Sequence, residues 1–154
     1  RNPERVERLA ILDAVPLLPG YRWHRVARAW RTRAVGETLM GATTRFGLRR
    51  MMPRALADTI WPYFDQGTQR AILRLYRTSP EERLAEAGAG LGRLTCPALV
   101  LWGDQDPYVP SRFADAYAAA LGGPTEVEHL PDAGHWSWYD RSDVIARVAE
   151  FIAA

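Results

Sequence analysis

The alternation of apolar runs and helical stretches over residues 97–152 constrains the fold more than any other feature of the sequence. Residues 97–102 form a continuous apolar run, which an Ala-rich helical stretch follows over residues 111–121. A second predicted strand covers residues 125–130, and apolar residues recur at helical spacing over residues 143–152. Strands that alternate with helices through short connections pair in parallel, because each helix crosses over the sheet. The sequence therefore predicts an α/β fold with a parallel sheet.

The first 90 residues divide into one predicted strand and a long helical region. Residues 6–13 end in an apolar run, and a break rich in Pro and Gly follows over residues 15–20, which is typical of a buried strand leaving the core. From Trp23 onward, apolar residues recur at i, i+3, i+4 and i+7, which predicts a helix. Further helices are predicted over residues 53–61, over residues 68–76 and from Pro80 to a glycine pair at 88 and 90.

Composition and charge narrow the possible classes of function. Apolar residues make up 47% of the chain and charged residues 25%, as in an ordinary globular protein. Residues 1–95 hold 17 Arg against 9 acidic residues. These arginines are dispersed through helical segments, which favours a solvated helical face, and we expect no nucleic-acid partner. No apolar run approaches the roughly 18 residues that span a bilayer, so we expect no membrane partner and a cytoplasmic location.

Two loops that follow predicted strands carry the candidate catalytic residues. One contains Asp104 and Asp106, and the other contains His135. If the two strands are neighbours, their axes lie about 4.8 Å apart and both loops leave the same edge of the sheet. A carboxylate on one ring nitrogen fixes the tautomer of a histidine and leaves the other nitrogen free as a general base. The sequence therefore predicts a catalytic pair of His135 and one carboxylate.

Three aspartates are candidates for that carboxylate. Asp106 is favoured because it lies deeper in its loop, before Pro107, whose ring restrains the turn. Asp104 directly follows a glycine and could instead cap the turn through its own backbone. Asp13 ends the first predicted strand and is either a third candidate acid or a pocket residue.

The sequence contains no convincing metal, cofactor or nucleophile motif. His24 and His129 are interpreted as structural, no two histidines lie four residues apart, and Cys96 is the only cysteine. We therefore expect neither a metal nor a cofactor. None of the four serines has the flanking glycines of a G-x-S-x-G nucleophile elbow. Because the chain has no such elbow, we expect the nucleophile, Ser or Asp, to precede Arg1.

Residues 97–110 and 131–136 together resemble the carboxy-terminal half of an α/β-hydrolase fold protein, and residues 2–13 resemble the strand after the nucleophile helix. The resemblance implies a partial parallel α/β-hydrolase sheet, built from core regions 1–19 and 91–154, with an all-helical cap inserted at residues 20–90. It also implies that Asp106 is the triad acid and His135 the base. The string at residues 102–107 and the Trp-rich cap are similar to the haloalkane dehalogenase and epoxide hydrolase branch, and esterases and lactonases share much of the pattern.

These residues predict a hydrolase of a small apolar ester, epoxide or halide. Trp136, Trp23 and Trp61 are candidate substrate-binding residues, although the cap aromatics could equally pack the cap against the core. The alternative is a non-catalytic binding or scaffold protein of the same fold, because the chain holds no nucleophile. Three strands leave an open sheet edge, so we expect the isolated 154 residues to be unstable or to aggregate, and to lack hydrolase activity. The oligomeric state is left open.

Overall fold

The computed structural model describes residues 2–154, apart from the side chain of Asp140. Three β-strands and nine α-helices lie in this part of the chain, besides three short 3-10 turns. In chain order they are β1 (Leu9–Leu12), α1 (Arg25–Arg31), α2 (Val35–Gly41), α3 (Arg45–Met51), α4 (Arg54–Ile60), α5 (Gln66–Thr78), α6 (Glu81–Gly88), β2 (Ala98–Gly103), α7 (Arg112–Ala120), β3 (Thr125–Leu130), α8 (Ser137–Asp140) and α9 (Ser142–Ala153).

The chain divides into two compact units. The sheet unit comprises the residues up to Tyr21 together with Glu82–Ala154, and the helical unit comprises Arg22–Glu81. The predicted boundaries at residues 20 and 90 stay predictions. Among the described residues, no helix is both long and apolar enough to span a bilayer.

The sheet unit is built on three parallel strands in the order β1-β2-β3, which confirms the predicted α/β fold class. Leu9 pairs with Ala98 at the start of β1, and Gly103 pairs with Leu130 at the end of β3. All six residues of β2 are buried. A central parallel strand is paired on both edges and covered on both faces, which explains why its sequence is a continuous apolar run.

Alternate side chains of β2 reach opposite faces of the sheet, and each face has a helix on it. Leu99 and Leu101 form a buried cluster with Val144 and Phe151 of α9. On the other face, the Trp102 ring lies 6.2 Å from the ring of Tyr117 in α7. This packing holds the carboxyl ends of β2 and β3 in fixed positions at one edge of the sheet.

The helical unit contains α1 to α5 and confirms that the middle of the chain has no strand among its described residues. Trp23 and Trp30 pack on Tyr76 of α5, with ring centroids 4.8 and 5.1 Å apart. Several arginines form ion pairs within the unit, such as Arg77 with Glu37 at 2.7 Å. The helices predicted from spacing are present, whereas the sequence did not resolve α2 and α3 individually.

Candidate active site

The loop after β2 holds a carboxylate in a fixed orientation. Asp106 Oδ1 accepts hydrogen bonds from the backbone N–H groups of Tyr108 at 2.7 Å and Val109 at 3.1 Å. The indole N–H of Trp102 donates to the Val109 carbonyl at 3.2 Å, which ties the loop to the end of its strand. The Asp106 side chain is completely buried. The loop therefore presents only the other oxygen, Oδ2, to a partner.

The partner of this oxygen lies in the loop after β3. Gln105 N–H donates to the Ala133 carbonyl at 2.9 Å, which fastens the two loops to each other. His135 Nδ1 lies 2.7 Å from Asp106 Oδ2. The structure thus brings together the two residues that the sequence proposed as catalytic, and it does so through the predicted adjacency of β2 and β3.

The chemistry of this pair follows from its hydrogen bonds. An ionised carboxylate only accepts, so the proton between the two groups belongs to His135 Nδ1. Nε2 is then the ring nitrogen that can accept a proton from a reactant. The His135 side chain is 22% exposed, so part of it is open to solvent. A buried carboxylate beside it would stabilise the imidazolium that forms when Nε2 takes a proton.

Two aromatic rings flank the imidazole. The Tyr108 ring stands edge-on to His135 at 5.1 Å, and the Trp136 ring does so at 4.9 Å. Burial and the Asp106 carboxylate raise the pKa of the Tyr108 hydroxyl, which keeps this group neutral. Trp136, a predicted substrate-binding residue, therefore lies directly beside the candidate base. Sequence reasoning missed Tyr108, although its position two residues after Asp106 was a usable signal.

Asp104, the second candidate acid, bonds to a different histidine. Its Oδ1 lies 2.7 Å from His129 Nδ1, and Asp115 Oδ2 lies 3.5 Å from the other ring nitrogen. The hydrogen bond that His129 donates to Asp104 raises the pKa of His129. Both side chains are about one third exposed. This second His–Asp pair lies on the surface, in keeping with the structural role predicted for His129.

Asp13, the third candidate acid, is buried at the end of β1 and is 3% exposed. Its Oδ1 accepts from the Gly103 N–H at 2.7 Å, and its Oδ2 accepts from the Ser137 hydroxyl at 2.8 Å. Burial raises the pKa of this carboxyl. Both oxygens of Asp13 are thus engaged by groups other than the imidazole. Ser137 is a second residue that sequence reasoning missed.

The remaining predicted site residues belong to the helical unit. Trp23 is 6% exposed, and its indole N–H donates to the Ser79 carbonyl at 2.9 Å. Trp61 starts a 3-10 turn and stacks on Phe64 at 6.2 Å. A substrate-binding role for these two residues stays a prediction. His24 accepts from the Ala27 N–H as the N-cap of α1, as expected of a structural histidine.

No candidate metal centre accompanies the pair. In the part of the chain that the structure describes, no group of three or more His, Cys, Asp or Glu side chains could hold a metal ion.

Solved structures of hydrolases have the same fold. A 2-hydroxy-6-oxo-6-phenylhexa-2,4-dienoate hydrolase from a Rhodococcus species superimposes with a TM-score of 0.74 at 20% identity, over 99% of this chain and 57% of that protein. Haloalkane dehalogenase DbeA from Bradyrhizobium elkani also gives a TM-score of 0.74, at 23% identity, over 99% of this chain and 61% of that protein. At these identities the likeness concerns the fold.

A curated relative matches part of the chain. The 2-hydroxy-6-oxononadienedioate/2-hydroxy-6-oxononatrienedioate hydrolase of Klebsiella pneumoniae is 29% identical over 62 residues, which are 40% of this chain and 21% of the relative. The chain spans less than two thirds of the length of each of these three proteins. Nearly the whole chain, residues 3–148, matches the model of the alpha/beta hydrolase family, and the chain therefore belongs to that family.

Proposed function

We propose that this chain supplies the base and the acid of a hydrolase that acts on a small apolar ester, epoxide or halide. His135 is the general base and Asp106 orients it, while the nucleophile, Ser or Asp, comes from residues upstream of Arg1. One observation carries the proposal: the 2.7 Å bond between His135 Nδ1 and a completely buried Asp106 carboxylate, which leaves Nε2 as the ring nitrogen that can serve as a base. Membership of the alpha/beta hydrolase family supports it.

The identity of the nucleophile decides what His135 does. With a serine, Nε2 takes the hydroxyl proton as the oxygen attacks the substrate carbonyl, and it later returns this proton to the leaving group. With an aspartate, the carboxylate attacks carbon and displaces a halide or opens an epoxide. His135 then activates a water that hydrolyses the resulting alkyl-enzyme ester. Trp136, beside the imidazole, is the proposed substrate contact.

A second candidate substrate class is a carboxylate-bearing 2-hydroxy-6-oxo-dienoate. The name of the Klebsiella relative favours it.

The test compares two matched histidines in the complete protein. His135→Gln and His129→Gln each remove an imidazole that bonds an aspartate at 2.7 Å, but only the first pair has a buried carboxylate. Substrates would be p-nitrophenyl butyrate, styrene oxide, 1-bromobutane and a 2-hydroxy-6-oxo-dienoate. We expect His135→Gln to lower kcat by about 10⁴-fold and His129→Gln to change it less than twofold.

Retained turnover in a folded His135→Gln variant would refute the role of His135. If the unmodified protein folds but turns over none of the four substrates, the non-catalytic binding alternative gains support. Intact-mass spectrometry of His135→Gln after addition of 1-bromobutane separates the two nucleophiles. An aspartate nucleophile predicts a stable alkyl adduct, because the second step lacks its base, whereas a serine nucleophile predicts none.

A further inference from the structure

A single buried carboxylate joins the two loops that carry the candidate pair. Asp13 Oδ1 accepts from Gly103 N–H at 2.7 Å, and Gly103 is the residue at which the Asp106 loop begins. Asp13 Oδ2 accepts from the Ser137 hydroxyl at 2.8 Å, and Ser137 lies two residues after His135 at the start of α8. The acid loop and the histidine loop are therefore both fastened to Asp13.

The anchoring is tight at both ends. Asp106 N–H donates to the Gly103 carbonyl at 3.1 Å, so the residue that Asp13 holds also closes the turn that carries Asp106. Ser137 is 3% exposed and has little freedom to choose another partner. Only one residue separates Ser137 from His135, so a displacement of Ser137 would also move His135.

Asp13 occupies this position at an energetic cost. Its φ of 40° lies in the left-handed region, which is unfavourable for a residue with a Cβ. Burying a carboxylate costs free energy as well unless hydrogen bonds compensate it. Two short bonds to a backbone N–H and a hydroxyl offset part of this cost, since bonds to a charged acceptor are stronger than neutral ones.

We propose that Asp13 is a positioning residue, which sets the relative placement of His135 and Asp106 through its bonds to Ser137 and Gly103. The importance of this placement for turnover rests on the proposed function, whereas the placement itself does not. Asp13 acts through the two loops and not as the acid, because Asp106 already bonds the imidazole.

The experiment follows the Nδ1–H proton of His135 by NMR in the complete protein, alongside kcat and KM. Ser137→Ala removes only the hydroxyl, and Asp13→Ala removes both anchors. Asp13→Asn is the conservative variant, because its amide oxygen can accept from Gly103 while its NH₂ donates to the Ser137 oxygen. Asp104→Asn is the matched control, since it removes an exposed carboxylate bonded to His129.

We expect faster exchange of the Nδ1–H proton in Ser137→Ala and Asp13→Ala, with kcat lowered about 10- to 100-fold and KM within twofold. Asp13→Asn should largely restore both readouts, and Asp104→Asn should alter neither. An unchanged Nδ1–H signal and kcat in folded Ser137→Ala would overturn the proposal, even if Asp13→Ala does not fold. If His135→Gln keeps its activity, the proposed function fails, but the NMR signal still decides whether Asp13 positions the pair.

Discussion

Replacing Gly103 with alanine tests how tightly the two loops pack. A Cβ at this position would lie 2.5 Å from the Gly134 carbonyl oxygen and 2.6 Å from that of Ala133. Ordinary van der Waals contact begins about 1 Å farther out. The obstructing atoms belong to the backbone, so no side-chain rotation relieves the clash. Gly103 cannot retreat, because its N–H donates to Asp13 at 2.7 Å.

The strain must therefore fall on the loop after β3, which carries His135. Overpacking of this kind costs about 1–3 kcal/mol of the free energy of unfolding. For a domain of this size, a loss of about 2 kcal/mol lowers the Tm by roughly 4–8 °C. Moving residues 133 and 134 also shifts His135, the next residue, away from its 2.7 Å contact with Asp106. We expect Gly103→Ala to lose both stability and turnover.

Gly134→Ala is the matched control, because it lies across the same contact. Its Cβ would meet only the Gln105 carbonyl oxygen, at 3.8 Å, and its φ is not in the left-handed region. Alanine there restricts the unfolded chain, which favours a stabilisation of about 0.4–1 kcal/mol. Thermal and urea unfolding of both variants of the complete protein would measure this difference in stability. Equal stability of the two variants would refute the close contact between the loops.

Three further predictions concern stability. Leu99→Ala empties a fully buried site between β2 and α9 and should lower the free energy of unfolding by about 2–5 kcal/mol in urea titrations. Tyr117→Phe should cost about 1–3 kcal/mol in the same assay, because the hydroxyl that bonds the backbone of the loop after β1 is lost. Asp104 raises the pKa of His129, so their pair stabilises the fold below about pH 6.5 and fades as pH rises through the raised pKa. Asp104→Asn should therefore cost about 0.2–1 kcal/mol at pH 5.5 and less at pH 9.

Each of these has a result that would contradict it. A Leu99→Ala loss below about 1 kcal/mol would mean that the strand is not buried on that face. If Tyr117→Phe leaves the free energy of unfolding unchanged, water must hydrogen-bond the backbone of the loop in place of the hydroxyl. If the stability loss in Asp104→Asn is larger at pH 9 than at pH 5.5, the pair does not stabilise the fold through a protonated His129.

The sequence was sufficient for the strands and for the longer helices because their patterns are redundant. Every residue of β2 is apolar because every residue is buried, so all six positions of the run independently indicate a buried strand. The short helices have no such redundancy. α2 follows Ala34, whose φ of 63° no propensity rule anticipates, and α8 is a single turn of four residues. Such elements depend on tertiary contacts, which a one-dimensional pattern does not record.

The candidate pair could be predicted because β2 and β3 were expected to be neighbours. Sequence spacing alone does not decide which aspartate bonds His135. Asp104 and Asp106 lie two residues apart on one loop and bond different histidines. The N–H groups of Tyr108 and Val109 turn the Asp106 carboxylate inward. The bond between Asp13 and Ser137 joins residues 124 positions apart, and no local pattern encodes it.

The two His–Asp pairs show why a distance is not enough to identify a catalytic base. Both have a contact of 2.7 Å between Nδ1 and a carboxylate oxygen. Around His129 and Asp104, water screens the charges and competes for the same hydrogen bonds, so the carboxylate holds the ring weakly. The Asp106 side chain is completely buried, and two backbone N–H groups donate to Oδ1, so only Oδ2 is left to bond the imidazole. An acid that orients a histidine must hold the ring in one direction, and burial of the carboxylate makes this possible.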